Sequence, residues 1–153
     1  MSRRPAFAPL ALGLLLAVMA AAQLLSFGAF QRALDGYALL VLRDLAGGLV
    51  GAEIVAAVGL LASASVPRPI ARAAGLSGLL VAVMWTALAA QAFARGLELD
   101  NCGCFGAYLA QPLRWWVLIE DAYMLVLAWY AAAATGSPFP TPALRLQRTQ
   151  EAT

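Results

Sequence analysis

Leu45-Ala-Gly-Gly-Leu-Val-Gly-Ala-Glu53-Ile-Val-Ala-Ala-Val-Gly-Leu-Leu-Ala-Ser-Ala-Ser-Val-Pro67 carries a single charge, Glu53, in an otherwise apolar run. It is long enough to cross a hydrocarbon layer about 30 Å thick, for which roughly 20 helical residues suffice. Working outward, uncharged runs recur at 5–31, 73–94 and 115–135, the last with Glu120 and Asp121 near its start. The 153-residue chain is 63% hydrophobic and 12% charged. Too few charges remain to cover a water-soluble globule of this size. The sequence therefore predicts an all-α, integral membrane four-helix bundle over 1–136, with spans at about 7–28, 45–66, 73–94 and 115–135, because lipid offers no partner to an open backbone group.

The chain has no His, and all ten basic residues are Arg. Absence of His removes His general bases, the Ser-His-Asp triad, His-ligated haem and His-based zinc. Absence of Lys removes Schiff-base chemistry and the P-loop lysine. A net charge of +2, with Arg scattered singly or in pairs, gives no stripe for nucleic acid.

Arg3 and Arg4 ahead of an apolar run ending Ala20-Ala21-Ala22-Gln23 resemble a signal peptide, but the run continues through Phe30, so the first helix is expected to be retained. Arg3, Arg4, Arg68, Arg72, Arg145 and Arg148 fall in alternate connections, which the positive-inside rule makes cytoplasmic together with both termini. The connections holding Arg32, Asp35, Arg43 and Asp44, and Arg95, Glu98, Asp100 and Arg114, are then exoplasmic. Leu34, Tyr37, Ala38, Val41, Leu42 and Leu45 recur at helical spacing, predicting a short amphipathic helix on the outer surface or an extension of the second span. Residues 137–153, rich in Pro at the start, read as a disordered cytoplasmic tail.

Both cysteines lie in Asp100-Asn101-Cys102-Gly103-Cys104-Phe105-Gly106, on the outer, oxidising side. A bridge across C-x-C closes a small ring that stabilises little by chain entropy, and strained, exposed disulfides tend to be the exchangeable ones. Cys102 and Cys104 are therefore a candidate redox pair, supported by Gly103, Phe105 and Gly106. A static bridge, free thiols and a metal site are the other readings. Zinc would need four soft ligands and hence a homodimer.

An ionisable group deep in a span costs of the order of 3 kcal/mol, which makes Glu53 a candidate proton relay. The structural alternative is an interhelical hydrogen bond to Ser63, Ser77, Thr86, Gln91 or a carbonyl. Gly47 and Gly51 form a G-x-x-x-G stripe on another face, read as helix packing. Glu120 and Asp121 are secondary candidates, for ion pairing with Arg114 or Arg95 or for proton delivery to the thiols.

The C-G-C-F-G run before the last helix, together with Glu53 in Gly51-Ala-Glu53-Ile-Val-Ala-Ala-Val-Gly-Leu-Leu61, resembles the methylamine utilisation protein MauE family, related to DoxX-like membrane proteins. The resemblance covers about Gly28 to Trp129. Cys102 and Cys104 match that family's cysteine motif and Glu53 its helix-two acid, whereas 30–35 lacks the Lys that similar proteins often carry. The resemblance implies an inner-membrane accessory protein for maturation of the disulfide-rich small subunit of periplasmic methylamine dehydrogenase, working beside a thioredoxin-like partner. On this reading the chain performs thiol-disulfide exchange. A small proton-coupled transporter built on Glu53, as a homodimer, and a non-catalytic membrane scaffold are the alternatives. No motif demands a cofactor; a membrane quinone among Trp85, Phe93, Phe105 and Tyr108 is conceivable, with aromatic packing the plainer use of those rings.

Overall fold

A computed structural model describes residues 7–136. Five helices follow in order: α1 Phe7–Leu25, α2 Phe27–Asp35, α3 Ala46–Leu61, α4 Arg68–Ala94 and α5 Trp115–Ala134. There is no strand among the described residues. Helices α1, α3, α4 and α5 form a four-membered ring in which α1 and α4 each pack on both α3 and α5. The proline-containing tail at 137–153 lies outside the described residues.

Three helices, α1, α4 and α5, are long and apolar enough to cross a membrane. Their outer faces carry Leu14, Val18, Leu80, Val83, Ile119 and Val126, all exposed. In water such a surface would be an aggregation liability, and in lipid it is ordinary. The molecule is a membrane protein whose core is a narrow strip of Leu12, Leu16, Val50, Leu60, Val81 and Ala128 down the bundle axis.

The structure corrects three boundaries. The first apolar run is not one helix, because Ser26, at φ −128° and ψ 38°, leaves the helical region between α1 and α2. Its hydroxyl turns back to donate to the Ala22 carbonyl at 2.8 Å, a local bond with which Ser competes against the backbone ladder. The amphipathic outer helix is therefore α2, earlier than the spacing over 34–45 predicts; it buries Phe30 and Leu34 while 36–45 forms turns. Tyr37 and Leu42 still point inward, whereas Val41 and Leu45 are exposed. Third, the second span narrows to the 16 residues of α3, about 24 Å at 1.5 Å per residue. The chain turns after Leu61, with Ser63 N–H donating to the Leu60 carbonyl at 3.2 Å and Ser65 N–H to that of Ala62 at 2.9 Å, and the residue before Pro67 avoids the helical region. Pro69 in the first turn of α4 then starts the next helix where a missing N–H is harmless.

The glycines that bring helices together are not the predicted pair. Gly47, Gly48 and Gly51 have open space where a Cβ would stand. Close approach occurs instead at Gly59, where an added Cβ would lie 2.7 Å from that of Ala74, and at Gly75 and Gly78 on α4, facing Ala132 and Leu60. Small residues matter here because lipid supplies no hydrophobic drive and contact distance sets the dispersion energy. Gly59→Leu is accordingly expected to lower bundle stability by about 1–3 kcal/mol, while Gly48→Ala leaves it unchanged or slightly raised. Thermal unfolding of the detergent-solubilised variants distinguishes them, and equal losses would overturn this packing account.

Candidate functional site

The starts of α1 and α4 and the ends of α3 and α5 gather around one cleft that includes Pro9, Leu61, Arg68 and Thr135. The opposite end is covered by α2, the turns after it and the 96–114 connection, and it holds both cysteines. Within the connection Cys102 N–H donates to the Gln111 carbonyl at 2.8 Å and Leu113 N–H to that of Leu99 at 2.9 Å, pinning the loop's two arms together. Asn101 clamps the turn between them: its Oδ1 accepts from Gly103 N–H at 2.9 Å and its Nδ2 donates to the Gly106 carbonyl at 2.7 Å. Gly103 and Gly106 sit at φ +85° and +57°, where an L side chain is strained. A Cβ on Gly106 would also fall 2.8 Å from the Ala22 carbonyl oxygen. Ser26 finishes the attachment, its Oγ accepting from Ala107 N–H at 2.9 Å. The break in the first apolar run thus anchors the cysteine loop.

Cys102 and Cys104 are free thiols, the first buried and the second half-buried. The Cys104 thiol hydrogen-bonds Cys102, which holds Cys102 below the usual thiol range despite its burial and the nearby Asp121 and Glu120. That same hydrogen bond, with burial and the negative charges of Cys102, Asp121 and Glu53, pushes Cys104 well up. The pair therefore ionises at Cys102 first, and a thiolate is the form that attacks disulfides and leaves from them. Tyr37, fully buried, donates to the Cys102 carbonyl at 2.7 Å. Burial, followed by the charges of the two cysteines, raises its hydroxyl so that it stays a donor.

Glu53 is fully buried on α3, and its partners are not those the sequence nominates. Its Oε1 accepts from Trp85 Nε1 at 2.6 Å and from Gln23 Nε2 at 3.2 Å. Gln23 also donates to the Cys104 carbonyl at 3.0 Å, so one amide joins the acid to the cysteine loop. Gln23 Oε1 and Glu53 Oε2 are buried without a partner. Ser77 and Thr86 bond backbone carbonyls of their own helix, and Gln91 accepts from Arg95.

Glu120 is exposed and accepts from Gln111 Nε2 at 3.0 Å. Asp121 is 5% exposed, and its Oδ2 is buried with no partner. The expected pairing with Arg114 or Arg95 does not occur: Arg95 donates to Gln91 and the Tyr37 carbonyl, and the one ion pair among the described residues is Arg43–Asp35. Nor do the four aromatics gather. Trp85 is in the core, tilted against Phe30 at 6.3 Å, whereas Phe93 and Tyr108 are exposed and Phe105 packs on the core beside Cys104. Among the described residues no group of three or more His, Cys, Asp or Glu is placed to hold a metal.

Gln23, Tyr37 and Asn101 are the site residues that the sequence did not announce. Gln23 had a signal, being the lone polar side chain of α1, since a buried amide in an apolar helix requires a partner. Asn101 two residues before Gly103 is a turn signature. Tyr37 had none, because its contact spans 65 residues.

Two outcomes follow from this geometry. Gln23→Leu removes a donor from both Glu53 and the loop, with an expected loss of about 1–3 kcal/mol in thermal unfolding and faster amide exchange across 101–107. In the reduced protein the first thiolate, followed by its ultraviolet absorbance, appears at lower pH than in Cys104→Ala, where the stabilising thiol donor is gone. Coincident titrations would show that the pair is not coupled.

The model of the family described as methylamine utilisation protein MauE matches residues 1–134. The chain is 31% identical over 103 residues to methylamine utilization protein MauE of Paracoccus denitrificans, covering 67% of this chain. It spans about half of that relative's length, 54%. No solved structure matches. The matched region takes in all five helices and both cysteines, and the chain belongs to the MauE family.

Proposed function

We propose that the protein is an inner-membrane thiol-disulfide exchange factor, with Cys102 and Cys104 on the periplasmic side and a thioredoxin-like C-x-x-C protein as its partner. The observation that carries this reading is the asymmetric thiol pair: Cys104 partly buried, Cys102 buried and the more acidic. When the two form a disulfide, a partner thiolate reaches the Cys104 sulfur, and the Cys102–Cys104 bond breaks with Cys102 leaving as thiolate. A leaving thiol of low pKa departs faster. The partner's second thiol then attacks the mixed disulfide, so the partner ends as a disulfide and this chain as the dithiol. Two electrons have moved from partner to loop. The orientation rests on Arg68 and Arg72 at the end opposite the cysteines. The family supports an accessory role in methylamine utilisation, and the client we propose for the exchange is the disulfide-rich small subunit of methylamine dehydrogenase.

Glu53 keeps two roles in this scheme, bonding α3 to α1 and α4 and, through its free Oε2, relaying a proton. A proton-coupled transporter draws less support, because both described clefts are lined by other residues than Glu53.

Thiol trapping on oriented membrane vesicles tests the proposal. Cys102 and Cys104 are expected to become modifiable when a reduced thioredoxin-like protein is added and protected again when its oxidised form is added in excess. Replacing both by Ser abolishes client maturation, whereas Glu53→Gln slows the cycle without stopping it. Cysteines that never change state, with maturation intact in the double Ser variant, would sink the exchange reading. Activity lost in Glu53→Gln but kept in that variant would favour transport.

A further inference from the structure

The dithiol left by exchange has to lose its electrons again, and the structure offers a place for the acceptor. A cleft of about 480 Å³ runs between α1 and α5 beneath the cysteine loop. That is the size of a small-molecule site. Cys102 and Cys104 both line its upper part, with Gln111, Glu120 and Asp121. Its lower part is apolar, from Leu15 and Met19 on α1 and Met124 on α5. Leu15 is ten residues before the end of α1 and Met124 nine after the start of α5, so the apolar part descends about 13–15 Å into the bundle at 1.5 Å per residue. Leu109, on the cleft wall in the connection at its outer end, is 62% exposed. Beside it the lipid-facing Val18 and Ile119 are exposed as well.

We propose that this cleft admits a membrane quinone from the lipid and that the Cys102–Cys104 dithiol reduces it. The assignment rests on the exchange reading above, and it adds the electron acceptor. The required ligand accepts two electrons and two protons at a polar head, carries an apolar tail and arrives through hydrocarbon. A quinone meets all three conditions, and quinone-coupled thiol oxidation is a known means of keeping the periplasm oxidising. The Asp121 carboxyl bears on the head position independently: it is 5% exposed, it lines the cleft, and its Oδ2 has no partner in the protein. An unpartnered buried oxygen next to two thiols fits a hydrogen bond to a quinone or quinol oxygen. In the step itself the S–H bond of Cys104 breaks, the Cys102–Cys104 bond forms, and the two electrons pass to the quinone. One proton comes from Cys104 and the second, lost when Cys102 ionised, returns through Asp121. The sum is dithiol plus quinone to disulfide plus quinol.

The test uses the full chain, reduced, in anaerobic phosphatidylcholine nanodiscs, with decylubiquinone as oxidant in one arm and oxidised glutathione in the other. One quinol per chain, with loss of both thiols, is expected, and none above background when both cysteines are Ser. Leu15→Trp narrows the cleft from a half-buried position and is expected to raise the decylubiquinone concentration at half-maximal rate about tenfold. Val58→Trp, on the lipid face of α3 and outside the cleft, leaves it unchanged. Oxidation by glutathione without quinol formation would overturn the quinone assignment and leave the exchange reading standing. Equal effects of the two Trp variants would overturn the cleft as its site. If neither oxidant alters the thiols, the exchange reading fails, and the quinone proposal with it.

Discussion

A carboxylate placed among hydrocarbon side chains costs several kcal/mol unless donors meet it, and Glu53 meets two, from Gln23 on α1 and Trp85 on α4. Those bonds tie three of the four bundle helices together at one level. They also determine where the cysteine loop sits, since the amide that satisfies Glu53 is the one that holds the Cys104 carbonyl. Registering α1 against α3 by a polar contact suits a bundle whose apolar surfaces are interchangeable with lipid. Leu against Leu and Leu against an acyl chain differ little in energy.

The cysteine loop is rigid for a related reason. Its turn is held by Asn101, its arms by two backbone bonds, its side by Ser26 and its floor by Tyr37. Fixing the backbone in this way keeps the two sulfurs within hydrogen-bonding reach, and that contact makes their acidities unequal. A C-x-C pair on a floppy loop would present two similar thiols. Here the environment of each sulfur makes Cys102 the more acidic thiol, the asymmetry on which the proposed exchange rests.

Burial of Asp121 without a partner, against the satisfied Glu120 beside it, is the kind of local imbalance that functional sites retain. It lies at the junction of the polar loop and the apolar cleft. Thiols, acid and hydrocarbon wall thus meet on one side of the bundle, between α1 and α5, while Glu53 of α3 and Trp85 of α4 are tied to the cysteine loop through Gln23 of α1.

Sequence alone determined the solvent and the helical class, and it singled out the candidate reactive groups. A chain with so few charges must sit in lipid, lipid permits helices and closed barrels, and with no His or Lys the two cysteines and the buried acid are the reactive groups left. Composition and apolar run length are local properties, so they were legible. Helix breaks were less so, because the stop at Ser26 depends on a hydroxyl that finds Ala22 and Ala107, the latter 81 residues away. Only the tertiary structure decided that Gln23 and Trp85 serve Glu53, that Gly59 and Gly78 rather than Gly47 and Gly51 bring helices together, and that the thiols open on the α1–α5 side. Each of these depends on how helices rotate and cross. An apolar residue reads alike whether it faces lipid or a neighbouring helix, so periodicity leaves that rotation open until polar contacts settle it.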